Sequence, residues 1–467
     1  MANFLKKFIG DKAFYRRMII ITIPIMIQNI ITNFVSLLDN LMVGRLGTEQ
    51  MSGVAAVNQL VFVFNLCIFG VISGAGIFSA QFYGKGDHKG VRDTFRIKMI
   101  LVLLVSVLAE IVFIFFGEPL IMSFLNEGTA PIDIPLTLSF GLDYMKVMLI
   151  GLPAFAIMQA YSDTLRSTDK TFLTMVASVI AVAVNLALNF VLIFGIGSFK
   201  GFGVVGAAIA TVTARFTECL IVIISTHIKH KENPFIVGAY RSFKIPATLM
   251  AGVTKKGFPL MINEVLWSVG MTVIVNIYSL HGIEVFAAQN ISSTVSNLFN
   301  CTFFAFGNAI AIIIGQHLGA GNVEKAKDET RKIIASCVML CVVVGAVMAF
   351  VAPLFPEIYN TEEIVKKIAS SLLIISAVTM PIHGLAHSSY FTLRSGGKTF
   401  ITFLFDSVYV WVILIPTAYL LTEFTPLGII PVYTVIQCLE FVKVIIGLSL
   451  LKSGIWINNL VADSNKK

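Results

Sequence analysis

Unbroken runs of apolar residues recur along this chain. Residues 99–116 read MILVLLVSVLAEIVFIFF, and residues 333–355 read IIASCVMLCVVVGAVMAFVAPLF. Each run is close to the roughly 20 residues that a helix needs to cross a bilayer. Because lipid offers no hydrogen bonds to the backbone, only helices and closed barrels are stable within it, and barrel strands would alternate apolar with polar residues. The runs therefore predict membrane-spanning helices.

The composition agrees with a lipid environment. Hydrophobic residues make up 57% of the chain and charged residues 13%, against roughly 45–50% and about 25% in soluble domains. With a mean hydropathy of +0.87, the chain has too little polar surface to cover a water-soluble globule. The predicted fold class is an all-α polytopic membrane protein. No small-residue cleavage site follows the basic start MANFLKKFIGDKAFYRRM, so the first apolar run is expected to stay as a helix.

Twelve spans can be drawn, and the basic residues support that number. Of the 34 lysines and arginines, 27 fall on the side of the predicted termini, 4 on the opposite side and 3 within spans. Cytoplasmic loops are enriched in these residues, so both termini are expected to be cytoplasmic. This also explains the net charge of +8 without nucleic acid. The predicted spans are 18–44, 52–80, 93–116, 136–160, 171–195, 204–228, 254–280, 288–317, 332–355, 367–391, 399–421 and 427–450.

The chain contains an internal repeat. Residues 164–172 read TLRSTDKTF and residues 392–400 read TLRSGGKTF, with matching prolines ahead of them at the same offset of 228. Six helices separate the two copies, so both enter the membrane from the same side, as two parallel-repeat six-helix bundles. The predicted division is an N-terminal lobe (1–228), a cytoplasmic linker (229–253) and a C-terminal lobe (254–467). At an offset of 235, the matches are Pro24 with Pro259, Gly47 with Gly282, Asn65 with Asn300, and Q-x-x-G-x-G at 81–86 with Q-x-x-G-x-G at 316–321.

Duplicated membrane bundles are typical of transporters that alternate access to a central pathway. The glycines of QFYGKG and QHLGAG lack the lysine and hydroxyl residue of a phosphate loop, so they predict tight turns at helix ends. Without a nucleotide motif, transport would be driven by an ion gradient, and no cofactor is expected. No nucleophile–base cluster or metal-ligand spacing indicates an enzyme, and the six cysteines lie in apolar runs.

Polar residues within the spans are the candidate functional residues, because they are costly in lipid. Asp39, Asn185, Asn189 and Thr211 are predicted at one depth on three helices of the first lobe. A carboxylate with amide and hydroxyl oxygens suits a hard cation such as Na⁺, and the carboxylate alone can carry a proton. The alternatives are an interfacial aspartate and hydrogen bonds between helices. Asp39 aligns with Ile274, so this carboxylate belongs to one lobe only.

Three further residues form a possible secondary polar site. Glu218 lies three residues after Arg215, so the two charges are expected to neutralise each other on one helical face. Glu264 and His383 are both predicted in the inner half of the second lobe. They either form a pair that responds to an ion or to the substrate, or are packed residues with a structural role.

Together these residues resemble the multidrug and toxic compound extrusion (MATE) transporters, within the multidrug, oligosaccharidyl-lipid and polysaccharide flippase superfamily. The likeness spans nearly the whole chain. It includes Pro24, Asp39 in DNLMVGRLG, the paired Q-x-x-G-x-G turns, the paired LRS loops and the N-x-x-x-N at 185–189. The resemblance implies two six-helix lobes that open inward and outward in turn, and exchange of organic compounds for Na⁺ or H⁺.

Carried over by position, the resemblance assigns the first-lobe cation site to Asp39, Asn185, Asn189 and Thr211, and helix bending to Pro24. Many members have an aspartate at the position of Asn189, so Asp39 is the only carboxylate of this group here. At the position of the second-lobe acid this chain has His383, and Glu264 is displaced by about one turn from the corresponding glutamate.

The sequence thus favours a secondary active exporter of organic, cationic or aromatic compounds, including drugs, by exchange for Na⁺ or H⁺. The alternatives are a lipid-linked oligosaccharide flippase and a non-transporting membrane scaffold or sensor. The predicted partners are a small organic substrate, a coupling cation and the lipid bilayer, without nucleic acid or nucleotide. We expect a monomeric, multi-pass protein of the plasma or inner membrane.

Overall fold

The computed structural model describes residues 7–125, 133–197, 199–242, 244–359 and 361–462. The end of the predicted tail, residues 463–467, and the basic residue Lys6 lie outside this range. Within it are twelve helices that are long and apolar enough to span a membrane, as predicted. They are α1 (Lys12–Gly44), α2 (Thr48–Lys85), α3 (His88–Met122), α4 (Ile134–Ser167), α5 (Thr171–Phe194), α6 (Val204–Ile228), α7 (Ala247–Ser279), α8 (Ile283–Gly319), α9 (Val323–Val351), α10 (Glu363–Ser395), α11 (Thr399–Phe424) and α12 (Ile429–Lys452).

Most helices run past the apolar runs from which they were predicted. The α9 helix begins at Val323, nine residues before the predicted span, because the polar stretch VEKAKDETRK also forms helical turns. The α11 helix is π-helical at Leu404–Val408 and Val410–Leu414. Pro416 lies two residues after the second of these turns and has no N–H, so it removes one hydrogen bond from the helix at that point.

The shorter elements connect the helices. A two-stranded antiparallel hairpin joins α5 to α6, with β1 (Gly195–Ile196) paired to β2 (Phe199–Lys200). Short 3₁₀ turns lie at Pro234–Ile236, in the linker, and at Pro356–Ile358, after α9.

The repeated phrases adopt the same conformations in both copies. Gly86 and Gly321 both have left-handed φ angles, +77° and +75°, just after the ends of α2 and α8. The predicted tight turns are thus confirmed. The LRS phrases end α4 and α10, and the left-handed position is Asp169 in the first copy (φ +64°) and Gly397 in the second (φ +70°). Aspartate and glycine are both residues that tolerate this region.

The chain forms two compact units. We name them the first-repeat unit (Ile27–Ser79 and His88–Gly257) and the second-repeat unit (Met1–Met26, Ala80–Asp87 and Phe258–Lys467). The units differ from the predicted lobes in two ways. The first turns of α1 and the end of α2 belong to the second-repeat unit, and the linker, predicted as a separate segment, belongs to the first-repeat unit.

Side-chain contacts give the reason. Met18 and Ile21 of α1 belong to the same buried apolar cluster as Ile310 and Ile313 of α8. The linker is bound to α3 by Arg96, which donates hydrogen bonds to the carbonyls of Gly238 and Ala239 at 2.8 Å each.

The residues after α12 pack against the end of α2. We call residues 453–462 the C-terminal segment. Gln81 donates hydrogen bonds to the carbonyls of Ser395 and Asn458 at 3.1 Å, and accepts one from the amide of Leu460 at 2.7 Å. Lys85 donates to the carbonyl of Val461 at 2.7 Å. With Trp456 and Val461 both buried, the segment is an integral part of the second-repeat unit.

Candidate ion-coupling site

Four predicted residues meet inside the first-repeat unit. The amide nitrogen of Asn189 donates hydrogen bonds to Asp39 Oδ1 at 2.6 Å and to Asn185 Oδ1 at 3.1 Å. Asn185 in turn donates to Thr211 Oγ1 at 3.5 Å. The structure therefore links the four side chains in one chain of contacts between α1, α5 and α6.

Helix periodicity accounts for this grouping. Asn185 and Asn189 are four residues apart, so they lie on the same face of α5. Asp39 is close to the end of α1, and Thr211 lies two turns after the start of α6. The two asparagines are buried, with exposed fractions of 5% and 1%. Asp39 and Thr211 are partly exposed, so the group is accessible at its edges.

The donor set suits a hard cation or a proton. Asn189 Oδ1 is buried and accepts no hydrogen bond from any residue that the structure describes. With the Asp39 carboxylate, Asn185 Oδ1 and Thr211 Oγ1, it makes four oxygen-bearing groups of three kinds, namely carboxylate, amide and hydroxyl. Hard cations prefer oxygen ligands, and an orphaned buried oxygen is the group that a bound cation would satisfy. The carboxylate can alternatively hold a proton.

A polar stripe, not foreseen as a unit, continues from this group along the first-repeat unit. Tyr144 of α4 donates to Asn58 Oδ1 at 3.2 Å and interacts electrostatically with both Asp39 and Arg215. On each of three helices, the residues of the stripe are three, four or seven positions apart, so they share one face of the helix. This spacing could have indicated the stripe from the sequence. The residues are positions 144, 151 and 155 on α4, 178, 185 and 189 on α5, and 211, 215 and 218 on α6.

Glu218 and Arg215 interact electrostatically, as neutralising charges would, but they are not in direct contact. No contact within 4.0 Å joins their charged atoms in the described part of the chain. Glu218 interacts with Ser178 of α5, whereas Arg215 lies over the ring of Phe155 of α4, at 5.0 Å from its centroid.

A buried ion pair lies near the α4 end of the stripe. Lys98 is completely buried and contacts Asp163 Oδ2 at 2.7 Å and Thr164 Oγ1 at 3.0 Å. Lys98 was counted among the basic residues of the cytoplasmic side, because it stands at the junction between a basic stretch and an apolar run. Helix α3 continues through that junction and carries Lys98 inward.

In the second-repeat unit, Glu264 and His383 each have a different partner. Glu264 lies 3.6 Å from Arg394, and His383 contacts Gln437 at 2.7 Å. The structure thus does not join them as a pair.

The main polar network of the second-repeat unit was missed. It centres on Asp406, which accepts hydrogen bonds from Lys443 at 2.7 Å and Asn263 at 3.2 Å. Asn263 also donates to Tyr390, and Lys443 lies 3.9 Å from Glu440. The π-helical part of α11 carries Asp406, so its direction could not be read from regular helix spacing.

Pro24 lies inside α1, which continues on both sides of it. It is adjacent to the buried Ile25 and three residues before Ile27, at which the first-repeat unit begins.

In a comparison with known protein families, each half of the chain is matched separately. The family model described as MatE matches residues 24–191 and residues 259–420, one stretch in each half. The chain belongs to the MatE family. MatE proteins are membrane transporters, so the chain is a multi-pass transporter and not an enzyme.

The MatE relatives are of similar length. The chain is 25% identical to the probable multidrug resistance protein NorM of Thermotoga maritima, covering 89% of this chain and 87% of NorM. It is 22% identical to the probable multidrug resistance protein YoeA of Bacillus subtilis, covering 90% and 89%. A crystal structure of a protein described as MATE superposes with a TM-score of 0.86 at 20% identity, covering 96% of this chain and 98% of that one. This last likeness shows the shared fold.

Proposed function

We propose that this MatE protein is a secondary active exporter that exchanges organic compounds, cationic or aromatic and including drugs, for Na⁺ or H⁺. The names of the NorM and YoeA relatives support multidrug efflux as the activity. One observation carries the coupling proposal, namely the hydrogen bond from Asn189 to Asp39. It supports the proposal because it links the carboxylate to Asn189, and through Asn189 to the oxygen-bearing side chains of Asn185 and Thr211.

In this mechanism the cation or proton binds at Asp39 from the outer side. The bound charge replaces the Asn189 hydrogen bond to the carboxylate and lowers the affinity for a cationic substrate, which then leaves. Loss of the cation on the inner side restores the hydrogen bond and the affinity. We place both termini in the cytoplasm, because the basic residues concentrate on that side.

Bending of α1 at Pro24 is the proposed structural response. Proline removes one hydrogen bond from the helix interior and weakens it locally. The division between the two compact units falls between Met26 and Ile27, within one turn of Pro24. Both observations support α1 as the element that changes shape between states.

Dye efflux from proteoliposomes tests the proposal. Wild type, Asp39→Asn and a control, Asp143→Asn, would be reconstituted and given either a Na⁺ gradient or a pH gradient. Asp143 is a matched control, because it lies in the same unit and is exposed beside Lys146. We expect one gradient to drive efflux in wild type and in the control, and Asp39→Asn to abolish it.

Other outcomes reassign the function. Gradient-driven efflux that survives in Asp39→Asn would move the coupling elsewhere, with Glu264 and His383 tested next. No dye movement in wild type under either gradient would reject multidrug export.

A further inference from the structure

The guanidinium of Arg215 is in direct contact with no group of opposite charge among the described residues. It makes no hydrogen bond or ion pair with any described residue, and its Nη1 atom is buried. The other buried cations of the first-repeat unit differ in this respect. Lys98 is paired with Asp163, and Arg96 with Asp93 at 2.9 Å.

The charges around Arg215 do not balance. At and beside the end of the stripe that holds Arg215, the charges of Lys98, Arg166 and Arg215 are positive, whereas those of Asp163 and Glu218 are negative. Asp163 pairs with Lys98 and also acts on Arg166 from a distance, and Glu218 acts on both arginines from a distance. Arg166 has only a neutral hydrogen-bond partner, Gln28 at 2.7 Å, and its Nε atom is buried without one. One positive charge therefore remains unmatched.

The side chain is nevertheless held in place. Its stem packs over Gly151, where an added Cβ would lie 3.5 Å from Arg215 Cδ. Its guanidinium lies over Phe155, one turn further along α4. A planar guanidinium supported on one face by an aromatic ring keeps its edge free to bind a carboxylate or phosphate through two hydrogen bonds.

Arg215 lies about midway along α6, at the depth of the lipid tails and not of the lipid headgroups. It is the twelfth of the 25 residues of α6, which places it about 16 Å from the start of the helix. That is near the middle of a hydrocarbon core of about 30 Å, away from the lipid headgroups. An arginine at this depth is costly and is by default a functional residue with a specific partner.

We propose that Arg215 is a subsite for an anionic group, a carboxylate or phosphate, on the molecule that the protein exports. The inference rests on the proposed transport function and refines its substrate class. Compounds that carry both a positive and a negative charge would be bound by the two ends of one stripe, with the cationic part toward Asp39 and the anionic part at Arg215, on either side of Tyr144.

Two dyes that differ in one charge test this. The probes are a rhodamine with a free carboxylate and its methyl ester, bound to the purified full chain in nanodiscs of uncharged (zwitterionic) lipid and measured by fluorescence anisotropy. We expect Arg215→Gln to weaken binding of the carboxylate dye at least tenfold and binding of the ester less than twofold. Arg215→Lys should recover most of the affinity for the carboxylate dye. Lys146→Gln, which removes an exposed cation of the same unit, is the control.

An equal change for both dyes in Arg215→Gln, including no change for either, would overturn the proposal. Loss of the difference between the dyes when anionic lipid is added would also overturn it, since the site would then hold a lipid phosphate.

Protein stability separates an open subsite from an internal ion pair. If Arg215 waits for an external anion, Arg215→Gln keeps or raises the melting temperature, because an unpaired buried charge is removed. The opposite result is a melting temperature that falls by several degrees in Arg215→Gln and falls no further when Glu218→Gln is added. It would show that the two residues neutralise each other, and would overturn the proposal. Efflux of the ester by wild type tests the transport function separately, because the binding comparison needs no gradient.

Discussion

Gly84 packs directly against the main chain of Gln316. Its counterpart in the repeat, Gly319, packs in the same way against the main chain of Gln81. The two Q-x-x-G-x-G turns thus contact each other reciprocally within the second-repeat unit, and each glycine leaves room for the glutamine of the other copy. The glycines are required for close approach, not for binding a phosphate.

Adding a methyl group at either glycine should therefore destabilise the protein by a similar amount. We expect Gly84→Ala and Gly319→Ala each to cost about 1–3 kcal/mol, because the new Cβ meets rigid main chain. Gly428→Ala is the control, since nothing lies within 4 Å of an added Cβ there. Thermal unfolding in detergent measures all three. A large loss for one glycine only would contradict the reciprocal contact.

Removing the amide of Asn189 should weaken coupling without removing the carboxylate. Asn189→Leu deprives Asp39 of its 2.6 Å donor and the site of one oxygen. We expect the driving-ion concentration for half-maximal dye efflux to change about tenfold, since a hydrogen bond to a charged group contributes about 1.5–3 kcal/mol. Asn308→Leu is the control, because Asn308 is bonded only within its own helix. An unchanged ion dependence would place coupling away from Asn189.

Breaking the buried pair of Lys98 should be among the most damaging changes in the first-repeat unit. Lys98→Met leaves Asp163 without its 2.7 Å partner, at an expected cost of about 3–5 kcal/mol. The exposed pair of Lys146 and Asp143 provides the contrast, where Lys146→Met should cost about 1 kcal/mol or less. Melting temperatures of both variants decide the point. Equal effects would mean that Lys98 is neutralised by other groups.

The network around Asp406 is predicted to be structural. Asp406→Asn leaves Lys443 with Glu440 at 3.9 Å as its remaining carboxylate, so we expect a loss of about 3 kcal/mol in stability. The protein that remains folded should still respond to the same ion gradient as wild type. Efflux that no longer depends on the gradient, in a variant with normal stability, would instead make Asp406 a coupling residue.

Sequence reasoning worked where helix geometry is regular. Apolar runs predicted twelve helices. Asn185 and Asn189 are one helical turn apart and were predicted at the same depth as Asp39 and Thr211, and these four side chains are the ones that the structure brings together. The same reasoning could not orient one helix against another. Arg215 and Glu218 share a face of α6, yet one turns to Phe155 of α4 and the other to Ser178 of α5.

Two other residues show a different limit. A lysine beside an apolar run is typical of a membrane boundary, so the burial of Lys98 was not foreseen. Asp406 lies in π-helical turns, where the usual periodicity does not apply. In both cases the surrounding packing, and not the local pattern, determines the position of the charge.

The hydrogen bond between Gln81 and Leu460 joins residues 379 positions apart. During synthesis, the end of α2 leaves the ribosome long before the C-terminal segment that completes its contacts. At roughly 5–20 residues per second, this interval is on the order of tens of seconds. The helices of the first repeat therefore enter the membrane before Gln81 can make its hydrogen bonds to Asn458 and Leu460, and the docking of the C-terminal segment is among the last steps of folding.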